Sequence, residues 1–156
     1  MVVESVDEIA DGLLAASRVL VALSTRSISL VDESITVPQF RTLMLLSTRG
    51  PSKVATLANA LAVQPSTAAR MVDRLVAAEL VDRKPNPDSR RELIIALTGR
   101  GRRIVAEVIE HRRREIAAVV ERMPAADRSG LVRALTAFSA ASGEPHPELD
   151  IEKYQL

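Results

Sequence analysis

Gln64-Pro65-Ser66-Thr67-Ala68-Ala69-Arg70-Met71-Val72-Asp73-Arg74-Leu75 is the stretch on which the reading of this chain turns. Ala68, Met71, Val72, Leu75 and Ala78 point one way at helical spacing, so a helix is expected over 65–78. Pro65 suits its first position, where a missing N–H is no loss. A shorter helical run at 54–61 precedes it, with Ala55, Leu57, Ala58 and Leu61 directed inward. Ala62-Val63-Gln64 breaks the two, and Val63 is expected to be buried. Two short helices and a tight turn read as helix-turn-helix, whose second helix offers its outward, N-terminal side to the DNA major groove. That side carries Ser66, Thr67, Arg70 and Arg74. Ser66 and Thr67 can donate to phosphate or base edges. Arg70 has the forked donors that match guanine O6 and N7, and Arg74, nearer the far end, suits a phosphate. Taken alone, the same residues describe an ordinary first turn and two solubilising charges.

Period-two patterning follows. Residues 80–84 are a short strand candidate and 92–97 a stronger one. Between them, Pro85-Asn86-Pro87-Asp88-Ser89-Arg90-Arg91 combines turn formers with paired arginines, which predicts an exposed hairpin tip. A hairpin directly behind a helix-turn-helix is the winged form of that module. Arg90 and Arg91 are placed to enter a minor groove, and Arg83 and Lys84 flank the hairpin within reach of the DNA backbone. Asp88 has two compatible readings: its carboxylate fixes the tip by accepting from Arg90 or loop amides, or it makes an Asx-type turn without a recognition role. Arg100, Arg102 and Arg103 open the next helix at its electropositive end. A nearby polyanion or simple tolerance at a solvated turn would explain them.

The flanks are helical. Ser5 and Glu8 have capping-box spacing ahead of Ile9, Leu13, Ala16, Leu20, Leu23 and Ser27, an apolar stripe of about six turns. So long a helix in so short a chain is expected to meet another long helix, one from a second chain included. Residues 32–37 connect, and Thr36 with Gln39 caps a helix at 37–49 that buries Phe40, Leu43, Met44 and Leu46 before Gly50-Pro51 ends it. Thr98 caps a helix at 99–122, with Ile104, Val105, Val108, Ile109, Ile116, Val119 and Val120 mostly on one side. Pro124 stops it, and a final helix over 125–142 runs through Leu131, Leu135 and Phe138. Residues 143–156 read either as a loose tail or as a latch onto a partner.

Composition narrows the chemistry. The 156 residues suit one domain, and 47% hydrophobic with 26% charged residues describes a folding chain. Aromatics are 2%, namely Phe40, Phe138 and Tyr154, so the core is aliphatic and base stacking on rings is not available. The absence of cysteine excludes disulfides, thiolate chemistry and thiolate metal sites. His111 and His146 are too few and too separated for an imidazole site, and no cofactor is expected. Carboxylates do not converge on a nucleophile or a phosphate-cradling glycine loop, so no enzyme is read here. No apolar run of about 18 residues is found, which predicts no membrane span and a cytoplasmic protein. Net charge is +1, yet residues 70–103 hold nine basic against five acidic groups. That concentration is an electrostatic footprint for a polyanion.

The order long helix, helix, helix-turn-helix, wing, long helix, terminal helix resembles the MarR family of bacterial transcriptional regulators. The resemblance rests on Thr36-Val37-Pro38-Gln39-Phe40, on 64–75, on 85–91 and on Leu97-Thr98-Gly99-Arg100-Gly101, and covers roughly 8–142. It implies a mainly α fold with a small β-hairpin wing and long N- and C-terminal dimerisation helices. It implies a single chain, 1–156, with a winged module at 36–98, a helical dimerisation region at 5–31 plus 99–142, and a tail at 143–156. Its DNA contacts carry over to Ser66, Thr67, Arg70 and Arg74, and its wing residues to Asp88 and Arg90. A homodimer on double-stranded inverted-repeat DNA, acting as a repressor released by a small apolar or aromatic effector, is the implied function. The sequence departs at Ala62, where the family commonly has glycine, and at Gln64, a poorer cap than serine by ~1 kcal/mol. Both bear on the stability of the module. The competing reading is a winged-helix protein-interaction module that does not bind DNA; low total charge motivates it, and Arg70, Arg74 and Arg90 weigh against it.

Overall fold

A computed structural model describes residues 3–143, the side chain of Arg90 excepted. Helix α1 (Val6–Val31) starts where Ser5 and Glu8 predict: Ser5 N donates to Glu8 Oε2 at 2.8 Å and Glu8 N to Ser5 Oγ at 3.2 Å. Helix α2 (Val37–Arg49) repeats the device with Thr36 and Gln39, and Gly50 ends it at φ +79. Helices α3 (Val54–Leu61) and α4 (Pro65–Ala77) form the helix-turn-helix. Strands β1 (Val81–Asn86) and β2 (Ser89–Leu97) pair antiparallel from Val81 opposite Leu97 to Pro85 opposite Leu93. Helix α5 (Gly99–Glu121) follows, with Gly101 N donating to Thr98 Oγ1 at 3.0 Å.

The chain divides into two compact units, one up to Ile116 and one from Ala117. In the first, Phe40, Leu43 and Leu46 of α2, Leu57 of α3, Val72 and Leu75 of α4, Val81 and Ile95 of the hairpin and Val105 and Val108 of α5 share one aliphatic core. Ile28 brings the end of α1 into it, and Arg26 grips Glu115 through two bonds of 2.8 and 3.1 Å. The hairpin gains a third rung from the loop after α2: Ser52 N donates to Ile95 O at 3.0 Å, and Ile95 N to Ser52 O at 2.8 Å.

Helices α3 and α4 both close through left-handed residues that are not glycine. Val63 N reaches Ala58 O at 3.1 Å around Ala62 at φ +54, and Leu80 N reaches Leu75 O at 3.0 Å around Glu79 at φ +60. These are paired Schellman-type closures, which glycine satisfies without the Cβ penalty. Ala62→Gly is therefore expected to stabilise the protein by about 1 kcal/mol, since relief of the left-handed strain exceeds the added entropy of the unfolded chain. A denaturant midpoint equal to or below that of the parent would contradict this.

Several expectations need correction. Val63 is half-buried, as it follows directly on the αL turn at Ala62, and Ala55 and Ala78, at the start of α3 and the end of α4, are exposed. The strands extend further than their alternation suggests, so the turn narrows to Pro87-Asp88. The final helix is two: α6 (Ala125–Arg128) and α7 (Leu131–Ala141), parted where Gly130 takes φ +77. Helix α1, contrary to the composition argument, is long and apolar enough to cross a membrane, with mean hydropathy 1.4 over 18 residues. Four of its hydroxyls mask their own polarity, as Ser17, Thr25, Ser27 and Ser29 donate to carbonyls one turn back. The tail beyond 143 lies outside the described residues.

Candidate nucleic-acid interface

Proline at the first helical position starts α4, and Gln64 supplies no side-chain cap, as its type predicts. The buried stripe Ala68, Val72 and Leu75 then orients the helix. Ser66, Arg70 and Arg74 emerge exposed on the opposite side, and Thr67 is half-buried. Thr67, Arg70 and Arg74 line a groove of about 620 Å³ whose far wall is Thr36, Pro38 and Gln39 of α2. Met71 forms its floor beside buried Thr42, whose Oγ1 donates to Pro38 O at 2.9 Å.

The wing is anchored to this helix. Arg83 of β1 forms an ion pair with Asp73 of α4, joining two surface side chains across the module. The expected backbone-contacting Arg83 is thus engaged within the protein, while Lys84 is exposed beside it. At the tip, pairing passes from Pro85–Leu93 to Asn86–Ser89, so Arg90, Arg91 and Glu92 occupy an irregularity in β2. Such bulges re-aim side chains. Arg91 is exposed, whereas the side chain of Arg90 lies outside the described residues. The Asx-type bond at the tip belongs to Asn86, whose Oδ1 accepts from Asp88 N at 3.0 Å. Asp88 is therefore the donor's residue in that turn rather than its acceptor, and its carboxylate is exposed.

Lys53, just ahead of α3, meets Glu92 at 2.6 Å and holds that carboxyl below its usual range, chiefly by hydrogen bonding. This keeps the one acid of the irregular stretch neutralised beside the wing arginines. The basic start of α5 also has an internal explanation. Arg100 Nη1 donates to Ala78 O at 3.2 Å and Arg102 Nη1 to Leu97 O at 3.1 Å, so both guanidiniums satisfy carbonyls that helix and strand ends leave open. Arg112 of α5 lies 5.4 Å from the Phe40 ring centroid, its Nε buried without a partner, and desolvation lowers its pKa. His111 sits half-buried among Glu107, Glu110 and Arg114, and no metal-binding group of three is found among the described residues.

Sequence reasoning did not identify Asp73, Lys53, Thr36 or Gln39 as parts of this surface. Thr36 and Gln39 carried only a capping signal, and the charge pairs join residues too far apart in the chain for any spacing rule.

A helix-turn-helix with an arginine-bearing outward face, braced to a basic β-hairpin, defines a winged helix-turn-helix DNA-binding protein. Residues 35–93 match the model of the MarR family. The crystal structure of RV1404 from Mycobacterium tuberculosis is 64% identical, covering 93% of this chain and 99% of that one at a TM-score of 0.83. A MarR family protein from Bacillus stearothermophilus is 26% identical over 91% of this chain and 100% of its own, at a TM-score of 0.74. The HTH-type transcriptional repressor NicR of Pseudomonas putida is 41% identical over 78 residues, 50% of this chain; the chain spans about half of NicR, 49%. The chain belongs to the MarR family of DNA-binding transcriptional regulators.

Proposed function

We propose that the protein is a cytoplasmic repressor which binds an inverted-repeat operator as a homodimer and leaves it when a small apolar or aromatic compound binds. The observation that carries the DNA reading is the exposed Ser66, Arg70 and Arg74 face, tied by Asp73–Arg83 to a wing whose irregular tip bears Arg90 and Arg91. Ser66, Thr67 and Arg70 read base edges; Arg74 and Lys84 hold phosphates, and Arg90 and Arg91 enter the minor groove. Arg83 contributes by orienting the wing, with Asp88 shaping its turn. In this reading the winged module is 36–98, and 5–31 plus 99–142 serve dimerisation.

The homodimer reading is supported by what the helices leave uncovered. Val6, Ile9, Leu14, Val19, Leu20 and Val21 of α1 are exposed, as are Val132, Leu135 and Phe138 of α7. Large apolar surfaces of this kind favour protein contact. We read the apolarity of α1 as a subunit interface rather than a membrane span. An acidic effector would find in Arg112 a half-buried cation with a free Nε–H above Phe40. Such a compound releases DNA only if it binds one dimer shape more tightly than the other. The repressor role is supported by the similarity to the transcriptional repressor NicR.

Selection of bound duplexes from a random library tests this directly. A two-fold symmetric motif is expected, together with a sedimentation mass near twice the 16.9 kDa of the chain. A folded protein that enriches no motif would transfer the winged module to a protein partner, and a monomer at micromolar concentration would refute the interface.

A further inference from the structure

The chain builds two reciprocal helix caps with different chemistry. At α1 the reaching residue is a carboxylate, Glu8, exposed to solvent; at α2 it is an amide, Gln39. For capping alone the carboxylate is at least as good, because negative charge is favoured in a first turn. Capping alone therefore does not require the amide at position 39.

What differs is the surroundings. Gln39 lines the groove that also holds Thr67, Arg70 and Arg74, and this lining carries two guanidiniums and no carboxylate. Its Oε1 is committed to Thr36 N at 2.9 Å, which leaves the NH₂ end of this groove-lining side chain as the one available to donate. A donor held beside two arginines, on the side of α4 that faces DNA, matches a phosphodiester and not a base edge.

We propose that Gln39 is a DNA-contacting residue, whose amide donates to a backbone phosphate seated between α2 and the Arg70–Arg74 side of α4. The cap and the contact use opposite ends of one amide, so glutamate in its place would keep the cap and set a negative charge against the phosphate. This rests on the reading of Arg70 and Arg74 as DNA-facing.

The test compares Gln39→Glu and Gln39→Ala with the parent, by fluorescence anisotropy on a random-sequence duplex and by thermal melting. At about 50 mM salt Gln39→Glu should bind roughly tenfold more weakly than the parent, and the gap should narrow at about 200 mM as the repulsion is screened. Its melting midpoint should not fall. Gln39→Ala, which loses the cap, should melt lower yet bind only about threefold more weakly. Gln39→Glu binding within twofold of the parent, or no more weakly than Gln39→Ala, overturns the proposal and leaves Arg70 and Arg74 where they are. A folded parent that binds no duplex overturns the DNA-facing reading itself, and the role of Gln39 with it.

Discussion

Gly101→Ala is expected to destabilise the protein by about 3 kcal/mol, more than any exposed substitution considered above. Gly101 is buried in the first turn of α5. A Cβ there would land on the carbonyl oxygen of Leu80, 3.1 Å from the carbonyl carbon and 3.2 Å from Leu97 Cδ2. That oxygen already accepts from Thr98 N at 3.1 Å, and Leu80 and Val81 are almost wholly buried, so neither side has room to retreat. Opening the contact would pull α5 from the end of α4 and loosen the base of the wing. Denaturant unfolding measures it, with a lowered midpoint and an unchanged slope. Gly12→Ala is the control: nothing in the same chain approaches within 4 Å of its Cβ position, and alanine there should stabilise helix α1 by about 0.5–1 kcal/mol. A Gly101→Ala midpoint matching the parent's would show that the close approach is not sustained in solution.

Arg70→Ala should have the largest effect on recognition. Arg70 stands exposed on α4, one turn beyond Ser66 and Thr67, where a recognition helix meets base edges. Loss of a bidentate guanine contact costs about 1–3 kcal/mol per half-site, and a dimer loses it twice. Discrimination at one position of each half-site should therefore collapse while binding to random duplex changes little. Arg90→Ala should do the opposite, weakening binding on all sequences and lowering its salt dependence. Equal losses on specific and random duplexes would move Arg70 to the phosphate class. An unchanged salt slope for Arg90→Ala would remove the wing from the interface.

Much of the fold was legible because its signals are local. Ser5–Glu8 and Thr36–Gln39 are three residues apart, and a reciprocal cap needs only that spacing. The outward residues of α4 followed from the period of Ala68 and Leu75, since a helix with one buried stripe has its exposed side decided. Misreadings arose where a backbone choice had no periodic trace. Gly130 interrupts an apolar pattern that continues on both sides, so 125–142 looked like one helix. At the tip, Asn86 and Asp88 both suit an Asx bond, and only the bulge in β2 selects Asn86 as the acceptor.

Sequence by itself determined the element order up to α5, the caps at Ser5 and Thr36, the aliphatic character of the core and the exposed set Ser66, Arg70 and Arg74, because propensity and periodicity act within a few residues. Tertiary structure alone decided that Ser52 joins the hairpin, that Arg83 reaches Asp73, that Gly101 lies against Leu80, and that Gln39 shares a groove with Arg70 and Arg74. Those pairs are brought together by packing of whole elements around the shared core. A contact made that way depends on where each element comes to rest, which no local spacing encodes.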